Sequence, residues 1–217
     1  VFDLACVGTF PLPSPSTPSA WFDKEVTTTL HQLTGAQFAL LAPQLVDIYI
    51  DAMGYDPAIR QQRISAWRRE ITWPGFRAVA ATATAQGGER VVGLAYGFEG
   101  NRERWWDRQL ISGLRLAGGP TAQEREMLRS YFEIAEVHVA PPYQGAGIGR
   151  ALINALLSGT PARWALLSTP EVRGEANAAF GLYRSLGFRD VLRHYLYPGD
   201  KRPFAVLGRE LPLDASG

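Results

Sequence analysis

Three glycines at alternate positions, Gly145, Gly147 and Gly149, sit in the stretch PPYQGAGIGRALINALL, residues 141–157, just where an apolar helical pattern begins. Glycine is costly inside a regular element, so three this close together point to something that approaches the backbone. A strand that ends in such a loop and opens a helix aims free N–H groups and the helix dipole at an anion, and phosphate is the natural ligand. A P-loop needs Gly-Lys-Ser/Thr at its end, where this chain has Ile148-Gly149-Arg150, so that option fails. The dinucleotide fingerprint wants its third glycine three residues after the second, and Arg150 stands there instead. Before the loop, Glu133 and Glu136 lie on a presumed central strand, where acidic residues are unusual unless paired or functional. His138, among apolar neighbours, is either a base or a hydrogen-bonded core histidine. His31 and His194 show no partner spacing and no metal pattern.

The elements that must position these residues alternate along the chain. Residues 1–27 are rich in Pro and Ser and read as an extension outside the domain, which then runs over residues 28–217. A first strand is expected at residues 27–34, and a helix starting at Pro43 carries Leu45, Ile48 and Ala52 on one face. A second helix follows around residues 56–71, whose Arg60, Arg63, Arg68 and Arg69 read as a solvated face. Two β-prone runs flank the turn Gln86-Gly87-Gly88-Glu89 as an antiparallel hairpin. Residues 100–130 read as two short helices broken at Gly118, Gly119 and Pro120. A strand over residues 132–140 stops at Pro141 and Pro142, which cannot donate to a ladder. Beyond the glycine loop come a helix to Leu157 with Ile148, Leu152 and Leu156 on one face, a strand, a helix ending in glycine, and a closing β pair. The pattern is that of a mixed α/β sheet in one domain.

Composition narrows the partners. Hydrophobic residues make up 46% and charged residues 20% of 217, enough for a buried core without staples. A formal net charge of +1 gives no field that demands nucleic acid or an acidic membrane, so an acidic ligand must be met locally. The apolar run at residues 38–53 is interrupted by Pro43, Gln44 and Asp47 and is not expected to cross a membrane. With Cys6 as the only cysteine, no intrachain disulfide or cysteine-based zinc site is possible, and a cytoplasmic home is expected.

A third phosphate-binding pattern, Gln/Arg-x-x-Gly-x-Gly/Ala, fits Gln144-Gly145-Ala146-Gly147-Ile148-Gly149 at every fixed position. Here the sequence resembles the GNAT superfamily of acyl-CoA N-acyltransferases. The strand AEVHVAP before the loop and AFGLYRSLGF about thirty residues after it follow the same order of elements, and the likeness covers roughly residues 28–211. It implies a mixed, mostly antiparallel central sheet flanked by helices, with residues 100–130 as a helical insertion between the third and fourth strands that shapes the acceptor pocket. It implies acetyl-CoA as cosubstrate, its pyrophosphate cradled by the N–H groups of Gly145, Ala146, Gly147, Ile148, Gly149 and Arg150, with Gln144 at the edge. The pantetheine arm would then lie along the backbone of Val137, His138 and Val139.

The resemblance also makes Tyr183 the acid that protonates the coenzyme A sulfur, the alternative being a core tyrosine beside Phe180. An alkyl amine with a pKa near ~10.4 is protonated at neutral pH, so a base or water chain must free it. Glu136, with Glu133 second, is the expected base. Strict alternation puts the two on opposite faces of their strand, and a bulge, frequent here in the family, would bring them together. One departure concerns Asn177: many members have asparagine seven residues before the tyrosine, where this chain has Ala176, so Asn177 is offset by a helical step of about 100°. The reaction expected is direct transfer to a primary amine in a ternary complex, the acceptor being a small molecule or a peptide. A covalent acyl-enzyme is disfavoured because Cys6 lies in the extension. The competing readings are a coenzyme A-binding module without turnover and a dinucleotide-binding oxidoreductase. A homodimer stays open.

Overall fold

The structure, a computed structural model, describes residues 27–85 and 88–213. Cys6, nearly all of the Pro/Ser-rich extension and the tip of the hairpin at Gln86 and Gly87 lie outside the described residues.

Strand β1, Thr28–Leu33, leads into helix α1, Gly35–Met53. Thr34 and Gln37 form a reciprocal capping box that satisfies free N–H groups at the helix start, and this fixes the start ahead of Pro43. The expectation that Pro43 begins the helix is therefore corrected: it lies inside α1. A proline there removes the N–H that would bond the carbonyl four residues back. That carbonyl, of Ala39, accepts instead from Arg68 Nε at 3.0 Å. Arg68 sits on α2, Arg60–Glu70, so a lost helical bond becomes a link between two helices. Arg60 pairs with Asp47.

Strands β2, Arg77–Ala85, and β3, Gly88–Glu99, form the expected hairpin. Helices α3, Trp105–Leu116, and α4, Ala122–Met127, come before β4, Tyr131–Val139. After the glycine loop come α5, Ile148–Leu157; β5, Trp164–Pro170; α6, Ala178–Ser185; β6, Arg189–Leu196; and β7, Pro203–Glu210. The sheet order is β1-β2-β3-β4-β5-β7-β6, antiparallel throughout except for the parallel β4–β5 pair.

Helices α1 and α2 cover one face of the sheet around Phe38, Leu45, Trp67, Leu94 and Tyr96. On the same face, α3 and α4 pack Leu110, Leu114 and Met127 against Leu166 and Val206. The other face belongs to α5 and α6. Helix α5 buries Ile148, Leu152, Ile153, Leu156 and Leu157, each contributing roughly 1.5–3 kcal/mol of hydrophobic stabilisation.

Two irregularities in β4 shape the space beside it. It pairs with β5 only from Tyr131 to Glu133, against Trp164 to Leu166, and beyond that the two strands separate. Against β3 the register steps from Gly97 opposite Ile134 to Tyr96 opposite Glu136, so Ala135 is an extra residue, a β-bulge.

Candidate active site

The bulge decides where the carboxylates point. Directly paired residues share a face, so Glu133 lies with Phe98, Glu136 with Tyr96 and His138 with Leu94. Tyr96 and Phe98 are two apart on β3 and point the same way. Glu133, Glu136 and His138 therefore all project from the face covered by α1 and α2, where strict alternation alone separates the two glutamates.

They enter a cavity of about 770 Å³ that opens where β4 leaves β5. Because the sheet is split there, the cavity takes walls from both of its faces. Glu70, Tyr96, Glu133 and Glu136 come from one side, and Asn177 and Tyr183 of α6 reach it from the other. Trp67, Trp73, Phe98, Trp105 and Tyr197 make most of the remaining wall aromatic.

Burial sets the electrostatics. Glu133 is 8% exposed, and its Oε2 has no hydrogen-bond partner among the described residues. Loss of solvent pushes its carboxyl up to about 8, with the Arg104 guanidinium pulling the other way and Glu70 and Asp107 adding to the rise. Arg104 is held over Phe98 and Trp73, 4.2 and 4.9 Å from the ring centres. Glu136 lies 2.6 Å from His138 Nε2, and that imidazole meets Tyr49 edge-on at 5.0 Å. His138 is thus a hydrogen-bonded histidine. Glu70, at the end of α2, accepts from the Tyr96 hydroxyl at 2.7 Å, and burial raises its carboxyl to about 7. Tyr183 is 9% exposed, and its phenol is pushed up to about 12 by burial and by Glu136. Its ring packs against Phe188 at 6.0 Å, and no hydroxyl partner occurs among the described residues.

The far end of the split is made of backbone. Gly145 and Gly147 have φ of 81° and 78°, and a Cβ added to either would meet nothing within 4 Å. They are glycines for conformation and for open space above them. Gly149 differs: a Cβ there would come within 3.0 Å of Leu182, so it lets α6 pack on α5. Among the described residues, none of the N–H groups from Gly145 to Arg150 has a protein acceptor, and the first internal bond of α5 runs from Ala151 N–H to Gly147. Ile148 turns its side chain into the core. The Gln144 side chain donates to the Val139 carbonyl at 2.9 Å, and Arg150 donates to Ser185 of α6, also at 2.9 Å.

Between loop and cavity runs the unpaired edge of β4. Ala140 N–H bonds to Val92 on β3, so by alternation His138 also turns its backbone to β3 while Val137 and Val139 face the split. The sequence-expected residues thus fall into two groups joined by this edge. Glu133, Glu136, Val137, His138, Asn177 and Tyr183 line the cavity; Val139 and residues 144–150 lead away from it. Asn177 caps α6, accepting from Phe180 N–H at 2.8 Å.

Sequence reasoning missed Glu70, Tyr96 and Arg104, and it misread Arg63. Far from a solvated face, Arg63 lies 5.2 Å from the centre of the Tyr49 ring and lines the cavity. Helical spacing held the signal for Glu70, which follows the buried Ile64 and Trp67 at intervals of three.

Among the described residues no helix is long and apolar enough to cross a membrane, and no group of three or more His, Cys, Asp or Glu could hold a metal ion. Residues 105–190 match the family model described as an acetyltransferase (GNAT) domain. The chain is 40% identical over 184 residues to the GCN5-like protein acetyltransferase Rv2170 of Mycobacterium tuberculosis, covering 76% of this chain and 89% of that one. It is 34% identical over 107 residues to the [ribosomal protein bS18]-alanine N-acetyltransferase of Escherichia coli, covering 48% and 70%. The fold is shared with Arabidopsis thaliana NAA60 solved in complex with acetyl-CoA, at a TM-score of 0.54 and 18% identity over 85% of this chain and 99% of that one.

Proposed function

Since the chain belongs to the GNAT family of acetyltransferases, we propose that it moves an acetyl group from acetyl-CoA to a primary amine of a small molecule or peptide by direct attack. The observation that carries this reading is the split beside β4, with a cradle of acceptor-free N–H groups at one end and carboxylates with a buried tyrosine at the other.

In this reading, residues 28–217 form one acyltransferase unit, and the helices within residues 100–130 roof the acceptor side through Trp105 and Trp106. The N–H groups of residues 145–150 bind the pyrophosphate, with the α5 dipole behind them. Backbone groups of Val137 and Val139 hold the pantetheine arm, and the Val137 N–H polarises the acyl oxygen. Acetyl-CoA supplies the activated thioester. Glu133 and Glu136 meet the incoming ammonium, whose proton leaves to a carboxylate of this wall. Tyr183 donates its proton to the departing sulfur. The phenol, raised to about 12 by burial and Glu136, stays protonated at neutral pH, the form a proton donor needs. In this reading no covalent acyl-enzyme forms.

The test is the rise in melting temperature on adding acetyl-CoA, since a ligand bound only to the folded state stabilises it. Gly147→Val fills open space and strains the backbone, so it should fold with a loss on the order of 1–3 kcal/mol and lose most of that rise. A rise in the variant equal to that of wild type would remove the loop from the site.

A further inference from the structure

Resting on the acetyltransferase reading, we propose that the carboxylate that takes the amine's proton is Glu70 on α2, aimed by the Tyr96 hydroxyl. Three carboxylates face the cavity from the side of α1 and α2, and their surroundings differ. Glu136 is engaged by His138 at 2.6 Å, and this pair on the cavity wall is suited to meeting an ammonium group. Glu133 has a sealed, unpartnered Oε2 and no donor to fix its plane. Glu70 combines a fixed plane with a free oxygen without being tied to the histidine that engages Glu136. Its Oε2 is anchored at 2.7 Å by a tyrosine that is itself fully buried, while Oε1, in a residue that lines the cavity, has no partner among the described residues.

The position is consistent with that task. Tyr96 stands directly opposite Glu136 in the β3–β4 register, so the carboxylate that Tyr96 holds is one side chain away from the one that draws the amine in. The charged and titratable groups around Glu70 are Tyr96 on β3, Glu136 and Glu133 on β4, and Arg63 and Arg69 on its own helix. Burial and Glu136 raise its carboxyl, the Tyr96 hydrogen bond and the two arginines lower it, and the balance lies at about 7. A base poised near the working pH is ionised often enough to accept a proton and basic enough to keep it. The step balances without a co-reactant: the ammonium N–H bond breaks, its proton goes to Glu70 Oε1, and the nitrogen lone pair is freed for attack.

The experiment measures kcat/KM against pH with one confirmed acceptor, for wild type, Glu70→Gln, Tyr96→Phe, Glu133→Gln and Glu136→Gln, alongside the acetyl-CoA melting shift of each. Glu70→Gln should lower the rate by ~10² or more and lose the ascending acid limb while keeping the acetyl-CoA shift. Glutamine can still accept from Tyr96, so folding is preserved. Tyr96→Phe removes a bond that favours the ionised form, so the limb should move to higher pH with the plateau largely retained; a merely structural glutamate would leave the limb in place. If Glu70→Gln keeps rate and limb while Glu133→Gln or Glu136→Gln loses them, the proposal is overturned and the acetyltransferase reading stands. If wild type shows neither acetyl-CoA shift nor turnover, both fall.

Discussion

Residues 144–150 and the wall made by Glu70, Tyr96, Glu133 and Glu136 stand at opposite ends of one split in the sheet, and they are built from opposite materials. The loop is largely solvent-exposed, seven consecutive residues long, and offers backbone N–H groups on a frame set by two glycines with positive φ. The wall, buried except for a half-buried Glu136, is drawn from α2, β3 and β4 and offers side chains that titrate. One end offers fixed dipoles that do not change with pH across the neutral range. The other carries carboxylates, and burial raises Glu70 and Glu133 into that range. In the proposed reading binding and chemistry are separable along the crevice, with Tyr183 at the carboxylate end.

The sharpest way to break this separation is Tyr183→Phe. The ring keeps its contact with Phe188, so turnover should fall by ~10² to 10⁴ on a substrate whose chemical step is limiting, with the acetyl-CoA melting shift unchanged. A parallel loss of rate and shift would make Tyr183 part of the binding end.

A smaller effect concerns stability against pH. Glu133 and Glu70 have folded-state values of about 8 and about 7, raised from 4.5, so between those limits the folded protein holds protons that the unfolded chain releases. Ligand-free stability should therefore be highest at the acid end of this window and decline as pH rises through it. For each proton held, the decline is at most ~1.4 kcal/mol per pH step of one, and relaxation and water penetration reduce it. Glu133→Gln should flatten the decline, as followed by denaturant melts at stepped pH. A stability that climbs from about pH 5 to about pH 8 in wild type would contradict the raised carboxyls.

The smallest effect is at Asn177. As the cap of α6, its replacement by Ala should cost ~1 kcal/mol, and Asn177→Ser should recover most of that. If Asn177→Ser restores stability yet acetyl-CoA binding stays weak, Asn177 belongs to the coenzyme end as well.

What was legible in the sequence follows the same division. The loop could be read because its determinants are contiguous: glycine spacing, flanking strand and following helix all fall within about thirty residues. The order of strands and helices was legible from periodicity for the same reason. The start of α1 was missed because the Thr34–Gln37 capping box outweighs Pro43, whose orphaned carbonyl is served by Arg68 from another helix. The acceptor wall was only half visible. Glu133 and Glu136 stood out as acids on a central strand, and the bulge that gives them a common face, at Ala135, was expected from the resemblance to the family, since no alternation rule marks it. Glu70 and Arg104 are far apart in sequence from both, and only the fold brings them to the same cavity. Side chains gathered by long-range packing leave a weak local trace.

Acetyl transfer is tested most directly by the release of free thiol from acetyl-CoA in the presence of single primary amines, small and peptidic, each set against a no-amine blank. At least one amine should raise thiol release well above the blank, with an acetylated amine formed in equal amount and no acetyl group left on the protein. Acetyl-CoA that binds and stabilises the protein without thiol release to any amine would contradict transfer and leave a coenzyme-binding module.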